Sequence, residues 1–233
     1  MLWRGLDLLF PPTCGGCRRG GYRLCPDCRT HILPVQEPVC DVCCLPQPAP
    51  GICVRCKEIQ PAYYKLHAWA IFEGPMRSVL HELKYRRNLS LGDTLAQAMS
   101  REVKRLGWPI DLVLPIPLGT KRRRERGYNQ VGLVAMPLAY TMGWRYEPQA
   151  LKRIRETRSQ VGLSVEERRE NVKGVFLADP RLIKNKIILL MDDVATTGAT
   201  LASASNELVR AGSGKVYALT LARALPHQHL QII

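Results

Sequence analysis

The sequence predicts an α/β protein, a mostly parallel sheet flanked by helices, preceded by a small cysteine-rich module. Ile187 to Met191 is a continuous apolar run rather than an alternating one, as in a central strand covered on both faces. Strand-like and helix-like segments alternate from Leu66 onward. All nine cysteines lie at or before Cys56.

A chain of 233 residues with 46% hydrophobic content has room for one substantial domain and a small module. We expect the module at 1–60 and the main domain at 61–233. Lys and Arg number 34 against 20 Asp and Glu, a formal net charge of +14, which favours phosphorylated or nucleic-acid partners. No apolar stretch approaches the roughly 20 residues that span a bilayer. The stretch Met1 to Pro12 carries Trp3, Leu6, Leu8, Leu9 and Phe10, but it is shorter than a usual secretory core and has no small-residue cleavage site. It is expected to pack on the adjoining structure, and the chain to be cytoplasmic.

Eight cysteines form four Cys-x-x-Cys pairs: Cys14/Cys17, Cys25/Cys28, Cys40/Cys43 and Cys53/Cys56. Two thiolates from one tight turn grip one side of a tetrahedral ion and a second pair completes it, so two structural Zn2+ sites are expected. Gly15, Gly16, Pro26 and Pro46 supply the turns. A disulfide framework is the competing reading, and strict pairing without a signal peptide favours metal in a reducing compartment. Sequential pairing is the simpler arrangement. Interleaved pairing stays open, and Cys44 would replace Cys43 if the turn shifted by one residue. A module this small draws its folding energy from the metal. It serves either as a cap on the main domain or, through Arg18, Arg19, Arg23, Arg29, Arg55 and Lys57, as a contact for nucleic acid or protein.

After the proline-rich stretch from Pro46 to Pro61, Leu66 to Phe72 reads as a strand and Pro75 opens a helix to Tyr85. A second helix spans Leu91 to Leu106 with Leu95, Met99, Val103 and Leu106 on its buried face. Asp111 to Pro117 is an apolar strand, followed by a basic loop from Lys121 to Gln130 that is either a solvated face or an anion contact. Leu151 to Gln160 reads as a mobile loop able to close over a ligand. Ser164 and Glu167 form a capping box for a short helix, and Val216 to Ala222 is the final strand.

The central run delivers Asp192 and Asp193 to a strand's carboxyl end, where open α/β sheets bind ligands. Thr196-Thr197-Gly198-Ala199-Thr200 then leads into a helix-like pattern through Leu201, Ala204, Leu208 and Val209. Backbone N–H groups at a helix N-terminus and threonine hydroxyls suit a phosphate, and Gly198 permits positive φ. Adjacent carboxylates suit a sugar diol. No Gly-x-x-x-x-Gly-Lys-Ser/Thr loop is present, and no Gly-x-Gly-x-x-Gly follows a strand.

These residues resemble the phosphoribosyl-pyrophosphate (PRPP) motif of type I phosphoribosyltransferases. The resemblance implies that Asp192 and Asp193 accept from the ribose diol, that Ala195, Thr196, Thr197, Gly198, Ala199 and Thr200 cradle the 5-phosphate, and that Mg2+ accompanies PRPP. A basic loop on a neighbouring strand would then stabilise charge on departing pyrophosphate. Together with the cysteine pairs, Lys84-Tyr85, Leu114-Pro-Ile-Pro117, Arg126-Gly127-Tyr128-Asn129-Gln130, Thr157 with Gln160, and Arg168 with Asn171, the order of motifs resembles the ComF/GntX family over nearly the whole chain. That resemblance implies a type I phosphoribosyltransferase-like domain behind a double zinc ribbon, with Arg126, Gly127, Asn129 and Gln130 in the pyrophosphate loop. It further implies a role in taking up or using extracellular DNA, with single-stranded DNA and a DNA-uptake helicase as expected partners. The alternative is a non-catalytic PRPP sensor or scaffold. Few residues follow the final strand, so no base-recognising hood is expected there.

Overall fold

The computed structural model describes residues 11–157 and 164–225. The apolar N-terminal patch through Phe10 and residues 158–163, Gln160 included, lie outside them. Two short helices, α1 (Pro26–Thr30) and α2 (Val54–Glu58), sit in the cysteine module. They are followed by β1 (Lys65–Ile71), α3 (Gly74–Tyr85), α4 (Leu91–Arg105), β2 (Leu112–Pro115), α5 (Thr120–Arg126), α6 (Gln130–Met142) and β3 (Arg145–Tyr146). An antiparallel pair, β4 (Leu151–Arg153) and β5 (Phe176–Ala178), brackets α7 (Val165–Asn171). Then come α8 (Pro180–Ile183), β6 (Ile188–Ala195), α9 (Ala199–Arg210) and β7 (Val216–Arg223).

The main sheet has the order β1-β7-β6-β2-β3, and all its pairings are parallel. β6 lies at its centre because its apolar run is wanted on both faces. Leu189 and Met191 pack with α3, α4 and α6, while Ile188 and Leu190 pack with α9 and the cysteine module. Each of these four side chains is fully buried, contributing about 2 kcal/mol. The two helices after β1 and the final strand form within a residue or two of their anticipated limits, and the expected central strand forms from Ile188 but continues past Met191 through both aspartates to Ala195.

Two segments differ from expectation. Thr120–Arg126, anticipated as loop, is a helix: all its residues but Thr120 and Glu125 are Lys or Arg, which favour helix, and Gly127 at φ 78 ends it. Leu151–Arg153, anticipated as the start of a mobile loop, is strand β4, because Leu151 is buried in the same core as Phe176 and Ala178 of its partner. Ser164 and Glu167 do form the capping box: Glu167 N–H donates to Ser164 Oγ at 3.2 Å, and Ser164 N–H to Glu167 Oε2 at 2.6 Å.

The cysteine module runs along the edge strand β1. Leu66 N–H donates to Val42 carbonyl at 2.7 Å and Ile71 N–H to Leu33 carbonyl at 2.8 Å. Val42, Cys43, Cys44, Cys56 and Tyr63 share one continuous core with Leu66, Ala68, Leu114 and Leu190. The first ribbon instead leans on α3 and α4, with Gly15 against Leu91 and Arg18 paired to Glu82 at 3.6 Å. Among the described residues no helix is long and apolar enough to cross a membrane.

Packing between α4 and α6 depends on Gly92, where an added Cβ would stand 2.4 Å from the Leu133 carbonyl oxygen. Gly92→Ala should therefore destabilise the protein by about 1–3 kcal/mol in urea unfolding. Gly20→Ala, which meets open space, is the control and should leave the midpoint in place.

Candidate functional site

The strand β6 carries Asp192 and Asp193 beyond its buried run, and three elements converge on them. From the last turn of α3, Lys84 Nζ reaches Asp193 Oδ2 at 2.8 Å. From the first turn of α6, Gln130 Nε2 donates to the same oxygen at 3.0 Å. Arg126 at the end of α5 donates to Gln130 Oε1 at 2.8 Å, and its guanidinium lies 5.0 Å from the Tyr85 ring centroid.

This arrangement sets the two carboxyls apart electrostatically. Burial, with the charge of Asp193 adding to it, pushes Asp192 up to about 8. Burial also opposes ionisation of Asp193, but the Lys84 ammonium, with hydrogen bonds from Lys84, Gln130 and the Val194 N–H, holds it below its ordinary value. One carboxylate and one carboxylic acid thus sit side by side near neutral pH.

The following turn is shaped by Gly198 at φ 75, which caps α9. A side chain there would be strained, and its Cβ would stand 3.2 Å from the Tyr63 hydroxyl. Thr196 Oγ1 accepts from Arg168 Nη1 of α7 at 3.1 Å. Arg122 of α5 and Arg153 at the end of β4 line the same cleft, and Arg153 donates to Thr157 Oγ1. Burial, and after it the Arg122 charge, presses the Arg153 guanidinium below its ordinary value. The cleft is therefore cationic around one anionic corner.

Of the residues anticipated from the sequence, the structure brings Asp192, Asp193, Ala195, Thr196, Gly198, Ala199, Thr200, Arg126 and Gln130 into one cleft. Thr197, Gly127 and Asn129 do not line it. The Thr197 hydroxyl accepts from Ala199 N–H at 3.3 Å and faces a separate cavity of about 500 Å³ behind the loop. Gly127 closes α5 in the left-handed region. Asn129 caps α6, accepting from Val131 and Gly132 N–H, and donates to the Ile116 carbonyl at 2.9 Å. These three position the cleft without facing it. Arg122 lies in the basic run anticipated as an anion contact, whereas Lys84, within the Lys84-Tyr85 motif, and Arg153 have no individual role assigned in the sequence. Lys84 ends a helix and Arg153 lies on a short strand, places where a basic residue is ordinary.

The cysteines gather into two sets, Cys14, Cys17, Cys25 and Cys28, and Cys40, Cys43, Cys53 and Cys56, with the sulfurs of each set within 4.8 Å of one another. Pairing is sequential, and Cys44, though buried, belongs to neither set. Sulfur separations of 3.6 Å for Cys17–Cys25 and 3.8 Å for Cys43–Cys53 match the edge of about 3.8 Å expected for a tetrahedron with Zn–S bonds of about 2.3 Å. Backbone N–H groups of Gly16 and Cys25 point at Cys14 Sγ, and those of Cys43 and Cys53 at Cys40 Sγ. Donors aimed at sulfur favour thiolate, so the residues present fit zinc.

A double zinc ribbon is thus packed against a parallel α/β sheet whose central strand ends in a cationic cleft. Residues 5–57 match the double zinc ribbon domain. Competence protein F of Haemophilus influenzae is 30% identical over 182 residues, 74% of this chain and 78% of the relative. DNA utilization protein YhgH of Salmonella typhi is 29% identical over 228 residues, 94% of this chain and 100% of the relative. Competence protein ComFC of Bacillus subtilis is 25% identical over 230 residues, 95% of this chain and 89% of the relative. The chain belongs to the ComF family of competence and DNA-utilisation proteins. Among solved structures, an allosteric regulatory enzyme of purine biosynthesis overlaps 60% of this chain and 29% of its own, at 18% identity and a TM-score of 0.42. The chain thus spans under a third of that enzyme's length. Adenine phosphoribosyltransferase from Thermoanaerobacter pseudethanolicus overlaps 62% of this chain and 86% of its own, at 13% identity and a TM-score of 0.39.

Protein purified without chelator should carry about two zinc ions per chain by elemental analysis. Disulfide-bonded, metal-free protein would contradict the two sets.

Proposed function

We propose that the cleft binds a 5-phosphorylated ribose, with PRPP as the ligand of choice, and that the chain acts in the use of DNA taken up from outside. The observation that carries this reading is the junction of two unlike carboxyls with the Thr196–Thr200 turn at the start of α9. N–H groups at the helix start, with the hydroxyls of Thr196 and Thr200, would hold the 5-phosphate. Asp192 and Asp193 would accept from the ribose hydroxyls, while Lys84 and Gln130 keep Asp193 oriented. Arg122, Arg126 and Arg153 face the space a pyrophosphate would occupy. Mg2+ arriving with PRPP would be held by pyrophosphate oxygens beside Asp192 and would add neutralising charge. If transfer to an acceptor follows, the arginines favour it by stabilising the departing pyrophosphate.

Asp192 must shed its proton to accept two hydroxyls, so ligand binding should release protons. Its carboxyl is raised, so affinity should climb as pH rises toward about 8 and fall as pH drops below it. Calorimetric titration of PRPP with Mg2+ in buffers of different ionisation enthalpy checks both the release and its direction. Asp192→Asn keeps the Lys84–Asp193 pair and should weaken PRPP about 10- to 100-fold by loss of charged hydrogen bonds, with zinc content and melting temperature unchanged. Undiminished affinity would place the ligand elsewhere.

The relatives' names attach this family to competence and DNA utilisation. Exposed Lys121, Arg122, Arg123 and Arg124 on α5 stand beside the cleft and offer phosphate contacts to a single strand. A scaffold that senses PRPP while engaging single-stranded DNA or a helicase is the second reading, favoured by this basic helix. Anisotropy of a labelled single-stranded oligonucleotide should show binding that weakens steeply with salt and falls in Arg123→Glu/Arg124→Glu. Pyrophosphate release measured across bases, nucleotides and DNA separates the two readings, because the scaffold yields none.

A further inference from the structure

The cavity of about 500 Å³ behind the phosphate turn shares only Gly198 and Ala199 with the cleft, among the described residues. It lies between α2 of the cysteine module and α9, and its size is that of a ligand pocket, roughly 300–1,000 Å³. Two polar groups meet on its wall. A Cβ placed on Gly198 would stand 3.2 Å from the Tyr63 hydroxyl and 4.0 Å from Arg55 Nη2, so the hydroxyl and the guanidinium flank one point of the turn. Tyr63 is 3% exposed. Among the described residues neither group has a hydrogen-bond or ion-pair partner. A buried hydroxyl without a partner costs free energy, and an occupant of the cavity would supply one.

The lining also fixes the sign of that occupant. Lys173 pairs with Glu170 at 3.7 Å and Arg210 with Glu207 at 2.8 Å, so Arg55 is the positive charge left over. The Thr197 hydroxyl, which accepts from Ala199 N–H, keeps its own proton to donate. Arg55, Tyr63 and Thr197 thus offer donors beside the start of α9, a combination that suits a phosphate. The rest of the wall is unlike a bare ion site. Pro61, Val172 and Phe176 present apolar surface, and the carboxamides of Gln60 and Asn206 can pair with the donor and acceptor edge of a nucleobase.

We propose that this cavity is a second small-molecule site, taking a nucleoside monophosphate whose phosphate is held by Arg55, Tyr63 and Thr197 and whose base lies among Phe176, Gln60 and Asn206. Because Gly198 and Ala199 wall both cavities, an occupant gripped by the metal module on one side restrains the turn that faces the cleft on the other. This coupling rests on the PRPP reading of the cleft; the site itself does not.

The test is calorimetric titration of the full-length, zinc-loaded protein with adenosine 3′-monophosphate, whose phosphate cannot imitate a 5-phosphorylated ribose in the cleft. Arg55→Gln should weaken binding about 10- to 100-fold and Tyr63→Phe about 3- to 10-fold, as for a charged and a neutral hydrogen bond. Arg55→Lys should lose less than Arg55→Gln, and Asp192→Asn should bind as wild type does. Zinc content and melting temperature should be those of wild type throughout. Absence of binding, or binding that Arg55→Gln and Tyr63→Phe leave unchanged, would overturn the site. Inorganic phosphate binding as tightly as the nucleotide would overturn the assignment of a nucleotide. PRPP with Mg2+ titrated into nucleotide-saturated protein should bind with an affinity changed about 5-fold or more, and an unchanged affinity would overturn the coupling. Protein that binds the nucleotide through Arg55 but takes up no PRPP would sink the reading of the cleft and uphold this second site.

Discussion

The Lys84–Asp193 ion pair is the contact on which the cleft depends. It ties the last turn of α3 to the central strand, across a site where both side chains are nearly out of solvent. Two charges removed from water stabilise each other only when geometry is good and remaining donors are used. Here Gln130 and the Val194 N–H complete the shell of Asp193. With Asp193 held as the anion, its neighbour Asp192 is left to take up a proton. The asymmetry of the two carboxyls is thus a product of one lysine placed by the last turn of α3 in the helical layer.

The two faces of the sheet are filled in different ways. One is a conventional helical layer, where α3, α4 and α6 bury leucine, valine and methionine, and where a glycine permits close approach. The other is built partly from α9 and partly from a metal module too small to fold on hydrophobic burial alone. The site lies where these layers meet. Lys84, Gln130 and Arg126 arrive from the helical side, and Tyr63 stands behind the loop on the metal side.

Much of this architecture is legible in the sequence because it rests on local pattern. The unbroken apolar run of β6, the capping box of α7, the Gly198 turn and the cysteine spacing each encode their geometry within about ten residues. What escapes is set by distant packing. The basic run of α5 has no apolar stripe to mark it as helix, and β4 is too short to alternate visibly. Lys84 and Arg153 acquire meaning only when α3 and β4 are laid against the ends of β6 and β2. Thr197, Gly127 and Asn129 fall within the right motifs but serve backbone geometry, a distinction that spacing cannot express.

The hydrogen bonds from Leu66 to Val42 and from Ile71 to Leu33 give the zinc module one more duty. β1 is an edge strand, and an edge left bare offers its N–H and C=O groups to any other strand that meets it. The ribbon occupies that edge with irregular backbone held in place by metal, which offers no regular strand for further pairing. Stripping the metal would do more than unfold a small appendage. It would uncover a template for intermolecular sheet growth, so metal supply would govern how much of this protein stays dispersed.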